Sequence, residues 1–402
     1  MQKKILLSAY TCCPNAGSEP GNGWCWLTGY LNNGYEVHCV TSSKYRSEIE
    51  EWLTQKKPDR LFLYYTDNRL TLSALKLPAG LYLHYYCWLF RARKIVKELV
   101  EKMDFSHSHH VTYSSIKYGT PLYDLPCKIV LGPLGETQMP HLSLRKYLGS
   151  AFYTAYAKNK VSNILEAVNP LVKRSVRSAD LILTATDHVR SKIKKYTSNS
   201  RTESMFFMLN DQFEQPFRQK QINGRINILW IGRMFPKKGL NLAIDAISEL
   251  PGDFDFHFLV AGDGPEMKKV KQQVQDHDLG EKVTFLSKVP HDELAPLFQC
   301  SHILLFPSFM DSCPMQIFEA MAFGLPVVTL DHQGMSLQVS EKTGKKITVA
   351  DHINYPKELS QAILEICAND ETYQRYSQHA YQFGQQQVSR KSIPYFLSTV
   401  NG

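Results

Sequence analysis

Nine cysteines are spread over this 402-residue sequence, yet it contains no CxxC pair and no His/Cys spacing of the kind that holds zinc. Nine is an odd number, and Cys12 and Cys13 are adjacent, so reduced thiols of a cytosolic protein are expected rather than a disulfide framework. Long apolar runs are also missing. The most apolar stretch, GLYLHYYCWLF at residues 80–90, falls far short of the roughly 20 residues a spanning helix needs. The opening MQKKILLSAYTCC has a very short apolar core and no small-residue cleavage site after it, so it reads as a buried strand over residues 4–10 and not as a secretory signal. There is no GxGxxG, and HCVTSS offers no acid to hold a ribose, which argues against a dehydrogenase. No DNA- or RNA-binding motif accompanies the basic residues, so nucleic acid is not an expected partner. HSHH (107–110) lacks nearby acids or cysteines to complete a zinc site, and DFD (253–255) precedes a strand and reads as a turn. Neither a metal nor a cofactor is expected.

What is present fits two domains. The chain is long for one core, and its 43% apolar and 21% charged residues are ordinary for a globular protein. The charge is uneven. Residues 1–220 hold 30 Lys+Arg and 18 Asp+Glu, net +12, while residues 221–402 hold 16 and 20, net −4, which together make the overall +8. A basic half points to an anionic partner.

Strand-like and helix-like segments alternate in both halves. Residues 4–10, 35–43, 60–65, 104–110 and 127–132 read as strands, and ADLILTAT (179–186) as the last of the first half. A helix is expected over 22–34, from the spacing of Trp24, Leu27 and Leu31 and the closing glycine. After a polar segment the pattern restarts with strands at 226–232, 256–262, 282–287 and 302–308. This alternation predicts an α/β protein of two facing Rossmann-like domains with parallel sheets and an interdomain cleft. The boundaries read from it are 1–208, a linker at 209–224, 225–388, and a terminal helix at 389–402 whose packing is not assigned.

DSCPMQIFEAMAFG (311–324) carries the chemistry. Pro314 breaks any helix that includes Asp311 but is tolerated at a helix start, so Asp311 lies on a loop and a helix runs from about 314 to 323, with Glu319 roughly one and a half turns in. The helix start at Pro314, with the open N–H groups that follow it at Met315 and Gln316, suits a phosphate. Carboxylates suit hydroxyls. A phosphate flanked by two polyols is the layout of a nucleotide sugar. IGRMFPKKGL (231–240) agrees: Arg233 and Lys238 sit on one strand-to-helix loop closed by Gly239, and cations there neutralise a departing diphosphate. The plainer readings are that Asp311 caps the helix, that Glu319 is a solvated helix residue, and that the two cations are a surface pair.

Together GRMFPKKG, LVAGDGPE and FPSFMDSCPMQIFEAMAFGLPVV resemble a retaining glycosyltransferase of family 4, with the GT-B fold. GSEPGNGW (17–24), HHVTY (109–113) and GPLG (132–135) resemble the N-terminal motifs of a bacterial, cell-surface polysaccharide branch. The resemblance implies that Arg233 and Lys238 hold the donor diphosphate, that Glu319 takes the ribose hydroxyls, and that Asp311 contacts the donor sugar. It implies that a Gly21–Gly23 loop lets backbone approach the phosphates and acceptor. His109 would lie near the reaction centre and Val289 near the base. Two departures stand out. Asp311 in DSCP replaces the usual glutamate of an EGFG, and the GP-G turn continues as ETQ. The implied reaction moves a sugar from a nucleotide-diphosphate donor to a glycan or lipid-linked acceptor, with retention. The nearest rivals are a nucleotide-sugar epimerase of the same fold and a non-catalytic binding protein.

Residues 145–177 carry seven Lys+Arg against one acid, Glu166, with Tyr147, Phe152, Tyr153 and Tyr156 among them. This is either a solvated helical face or a patch that docks on anionic lipid from the cytoplasmic side.

Overall fold

A computed structural model describes residues 3–67, 80–113, 115–198 and 200–401. The chain packs as two compact units. In the first, β1 (Lys4–Ala9), β2 (Glu36–Thr41), β3 (Leu61–Tyr65), β4 (His107–His110), β5 (Ile129–Leu134), β6 (Leu181–Thr184) and β7 (Arg201–Ser204) form one sheet in the order β3-β2-β1-β4-β5-β6-β7. In the second, β8 (Ile226–Ile231), β9 (Phe256–Ala261), β10 (Val283–Phe285), β11 (Ile303–Leu305), β12 (Val327–Asp331) and β13 (Gly344–Thr348) follow the order β10-β9-β8-β11-β12-β13. Every pairing is parallel. Central strands such as ILLSA and ILWI are buried on both faces, which is why they read as continuous apolar runs without alternation.

Both sheets run outward in two directions from their first strand, so strand order reverses at β1/β4 and again at β8/β11. The crevice beyond the carboxyl ends of such a pair is where open α/β sheets bind ligands.

The start of a helix, an edge strand and the unit boundaries depart from the sequence reading. Helix α1 (Ser18–Asn32) starts four residues before the expected 22, so Gly21 and Gly23 lie in its first turns and not on a loop. Pro20 is harmless there because the first N–H groups of a helix have no partner to lose. ADLILTAT is not the last strand: β7, RTES, is short and polar and completes the edge, with Arg201 opposite Leu181. The segment Thr137–Lys160 packs with the second unit, contributing Leu144, Tyr147, Leu148 and Phe152 to its core. Conversely, the terminal helix belongs to the first unit.

Helix α2 (Gly80–Lys102) takes up the apolar GLYLHYYCWLF and buries His84, Tyr85, Trp88 and Leu89. Helix α3 (Ser150–Val168) begins in the second unit and ends in the first. Helices α4 (Met315–Ala322) and α5 (Asp370–Gln386) lie against each other in the second unit, and Gly384 is forced by contact: a Cβ there would sit 2.3 Å from the Ala322 nitrogen. Helix α6 (Ser389–Asn401) packs on α1, where a Cβ on Gly29 would stand 2.6 Å from Ile393. Among the described residues no helix is long and apolar enough to cross a membrane. DFD is a turn, with Asp255 accepting from Arg225 at 3.0 Å.

Candidate active site

The site is assembled from four loops at the carboxyl ends of β8, β9, β10 and β11. The loop after β8 contains Gly232, Arg233 and Met234, and it is pressed against the loop after β9. A Cβ on Gly262 would lie 1.8 Å from the Gly232 carbonyl oxygen, and one on Gly264 would lie 2.7 Å from that of Met234. Met234 N–H donates to Asp263 at 2.8 Å, and Gly262 N–H donates to the Ser287 carbonyl of the third loop at 2.7 Å. Thus the glycines of the GR and AGDG motifs let three loops share backbone contacts.

A 3-10 turn, Pro236–Lys238, ends at Gly239, whose φ of 68° is left-handed. The turn aims Lys238 inward, where it is 8% exposed. Its Nζ donates to Asp311 Oδ2 at 2.6 Å. Ser308 Oγ donates to the same carboxylate oxygen at 2.8 Å, and Phe309 N–H donates to the Lys237 carbonyl at 2.8 Å. A Cβ on Gly239 would lie 2.0 Å from the Pro307 carbonyl oxygen, so this close approach of the first and fourth loops also depends on glycine. Burial pushes the neighbouring Lys237 below its ordinary range, against the opposing pull of Asp311. Arg233 stays exposed, its guanidinium 5.3 Å from the ring centre of Phe235.

Asp311 does not cap the following helix. Pro314 occupies the N-cap of α4 with φ −69° and ψ 113°, and no side chain caps that end. The helix starts at Met315, one residue later than expected; the Ile317 N–H donates to the Pro314 carbonyl at 3.3 Å, and the N–H groups of Met315 and Gln316 precede the first helical acceptor. Met315 is buried and Gln316 half-buried. Glu319 lies on the next turn and is 4% exposed. Its Oε1 is 2.9 Å from His291 Nε2. Burial alone would lower the His291 pKa, but the Glu319 carboxylate, through its hydrogen bond and charge, together with Asp292 holds it above the ordinary value. Val289, half-buried, is two residues before His291 on the loop after β10.

His291 escaped the sequence reading. Its signal was position: it follows a strand of the same sheet within six residues, in the loop that also holds Val289. No spacing rule links it to Glu319, 28 residues on.

Three expected site residues belong to the first unit and have partners there. Gly21 and Gly23 are buried in α1. A Cβ on Gly21 would lie 1.9 Å from the Ala16 carbonyl oxygen, and one on Gly23 would lie 2.3 Å from that of Thr11. The backbone that approaches these glycines is the protein's own. His109 sits within β4 at 0% exposure. Its Nδ1 is 2.9 Å from Tyr30 Oη, and its Nε2 is 2.9 Å from the Gly132 carbonyl. Phe396 of α6 stacks on the ring at 5.3 Å, and Trp26 meets it edge-on at 4.4 Å. Burial drives its pKa well down, so it is a neutral histidine of the core with both nitrogens engaged. The structure therefore joins Lys238 to Asp311 and Glu319 to His291 in the second unit, while His109, Gly21 and Gly23 are buried among partners of the first.

Residues 211–383 match the family described as "Glycosyl transferases group 1". Among curated relatives, the alpha-D-kanosaminyltransferase of Streptomyces kanamyceticus is 23% identical over 205 residues, which is 47% of this chain and 53% of that protein. The amylovoran biosynthesis glycosyltransferase AmsK of Erwinia amylovora is 31% identical over 140 residues, 33% of this chain and 32% of that one. This chain thus spans about half the length, or less, of these relatives. Among solved structures, S. aureus TarM, in complex with fondaparinux, alpha-GlcNAc-glycerol and UDP, superposes with a TM-score of 0.65 at 12% identity, covering 100% of both chains. The two parallel-sheet units have the GT-B fold, and residues 211–383 form a glycosyl transferases group 1 domain.

Proposed function

We propose that this protein transfers a sugar from a nucleoside-diphosphate-sugar donor to a hydroxyl of a lipid-linked or growing surface glycan, as in capsule, exopolysaccharide or lipopolysaccharide assembly. One observation carries the reading. At the β8/β11 crevice the loop that carries the exposed Arg233 and the buried Lys238 is tied through Asp311 to the loop that leads into an uncapped helix start, and buried Glu319 lies on the next turn of that helix. In the proposed complex Arg233, Lys238 and the open end of α4 hold the diphosphate. Glu319, held by His291, accepts from the ribose hydroxyls. Asp311 accepts from hydroxyls of the donor sugar while orienting Lys238. Pro314, Met315 and Gln316 line the helix end, and the Val289 loop lies beside the base.

The step proposed is front-face substitution with retention. The bond between the anomeric carbon and the phosphate oxygen breaks, and a bond to the acceptor oxygen forms on the same face. The acceptor proton goes to the departing phosphate. The cations and helix end stabilise charge that grows on the diphosphate, so the proposal requires no metal and no cofactor. The acceptor class draws support from relatives such as AmsK, which is named for amylovoran biosynthesis. A cytoplasmic location on the inner membrane face, reached through peripheral contact of the basic half, belongs to the same proposal.

The test is product analysis with UDP-, GDP- and ADP-sugars, with and without glycan acceptors. Nucleoside diphosphate released only with acceptor, and a retained linkage in the product, support transfer. Free sugar epimer without acceptor would replace the reading by an epimerase. Binding without turnover across the panel would replace it by a non-catalytic binding protein.

A further inference from the structure

Helix α3 is amphipathic the wrong way round for a helix that only packs on its own protein. At 100° per residue, Tyr153, Tyr156, Val161, Ile164, Leu165 and Val168 fall on one half of its circumference. All six face outward, at 55%, 52%, 56%, 59%, 62% and 70% exposure. The opposite side is the one that packs. Phe152 is buried in the second unit's core. Glu166, 2% exposed, accepts from Tyr196 at 2.8 Å and pairs with Lys192. The helix therefore spends its polar anchor inward and its apolar stripe outward. A contiguous exposed apolar stripe of this size marks a contact surface.

Charge says what that surface meets. From Thr137 to Ala179 the only acid is Glu166, which is buried and paired, so no negative charge stands beside the stripe within this segment. Lys160 lies on the stripe, one turn from Tyr156 and from Ile164, and Lys158 borders it; both are exposed. Arg145 covers the Tyr153 ring at 5.3 Å, and Lys146 is exposed beside it. Aliphatic side chains, tyrosines and lysines on a single helix face are what the boundary of an anionic bilayer accepts: apolar groups among the acyl chains, tyrosine at the headgroups, ammonium on phosphate. A second copy of this chain would bring a like-charged face to the same place.

We propose that the outward face of α3, centred on Val161, Ile164 and Leu165 and flanked by Lys158 and Lys160, is the element that seats this protein on an anionic lipid surface. The proposal deepens the membrane part of the reading above and is independent of donor chemistry. In it, Lys and Arg contribute attraction that salt screens, and the stripe contributes burial that salt does not.

The test is flotation with vesicles of phosphatidylglycerol and phosphatidylcholine, or of phosphatidylcholine alone, at about 0.1 M salt. Wild type is compared with Ile164→Ser/Leu165→Ser and with Lys158→Gln/Lys160→Gln. Wild type is expected to float with the anionic vesicles. The serine pair is expected to lose at least tenfold of that binding, and the glutamine pair about fivefold per lysine. Each variant is also melted with and without nucleoside diphosphate. An unchanged ligand shift shows that the fold and donor site are intact. Wild type that stays with the soluble fraction, or variants that float as well as wild type, overturns the proposal. So does a concentration-dependent dimer by sedimentation that only the serine pair abolishes. Flotation that holds while no nucleotide shifts the melting temperature leaves the docking surface standing and removes the donor reading.

Discussion

Lys238 and Asp311, 73 residues apart, meet at 2.6 Å across the crevice between β8 and β11. The contact joins the cation of one motif to the carboxylate of another. In the proposed complex Lys238 is shared between the diphosphate and Asp311. Lys238→Ala is expected to lower kcat/KM by about 10²–10³, the usual effect of removing one group that stabilises a developing anion. The same change should weaken binding of the free nucleoside diphosphate by calorimetry. Equal binding by variant and wild type would place the lysine outside the phosphate site.

Asp311→Asn separates sugar contact from lysine orientation. The amide oxygen can still accept from Ser308, which donates to Asp311 Oδ2 at 2.8 Å. Binding of the nucleoside diphosphate should change less than threefold, while turnover falls at least tenfold. A parallel loss of both would mean that Asp311 acts only by holding Lys238.

The Glu319–His291 pair gives a pH dependence with a definite sign. The folded state raises the His291 pKa, with burial opposing and Glu319 prevailing. Its contribution to stability is therefore full below the unfolded value of about 6.5 and is lost as pH rises through the folded value. The melting temperature of wild type minus that of His291→Gln should be largest below about pH 6 and shrink towards pH 8. A difference that grows with pH would contradict the pairing.

The histidines of β4 act in the opposite sense. Burial lowers His107 to about 4 and His110 to about 3, and His109 well below its ordinary value. The unfolded chain takes up these protons first, so stability falls as pH drops from about 6.5, by up to roughly 1.4 kcal/mol per pH unit for each histidine. Urea melts at pH 7, 6 and 5 measure this. A flat profile would mean the three rings are hydrated and free to ionise.

Gly23→Ala tests whether that glycine serves the fold. Its Cβ would lie 2.3 Å from the Thr11 carbonyl oxygen and 2.9 Å from Thr112 Cγ2. A loss of about 1–3 kcal/mol is expected from overpacking, with nucleotide affinity of the folded fraction unchanged. Lost affinity at full stability would restore a ligand role.

The long buried strands were legible because ILLSA, INILWI and FHFLVA are apolar on both faces. The edge strands were not: RTES and GKKIT are polar, and only the neighbouring strand makes them extended. The start of α1 was hidden by Pro20 and two glycines, which are turn signals unless a carbonyl of the same protein presses on the helix. In the site, Asp311, Glu319, Arg233 and Lys238 were readable from charge beside a helix start. The contacts Lys238–Asp311 and His291–Glu319 were not, because they arise from parallel strand order and no local period encodes it. The burial of His109 was hidden for a related reason. A histidine at a strand end near a switch point looks exposed in sequence, and only the arrival of Phe396 from the terminal helix shows it to be covered.

The central claim is a nucleotide-sugar donor site at the β8/β11 crevice. Its most direct test is the melting temperature of wild type and of Glu319→Gln with UDP, GDP and ADP. A ligand that binds only the native state raises it, by about 2.7 kcal/mol of stability at a hundredfold excess over Kd. The account predicts a shift with one nucleoside diphosphate, absent or sharply reduced in Glu319→Gln. Folded wild-type protein that shifts with none of the three, or a variant that shifts as much as wild type, would contradict it.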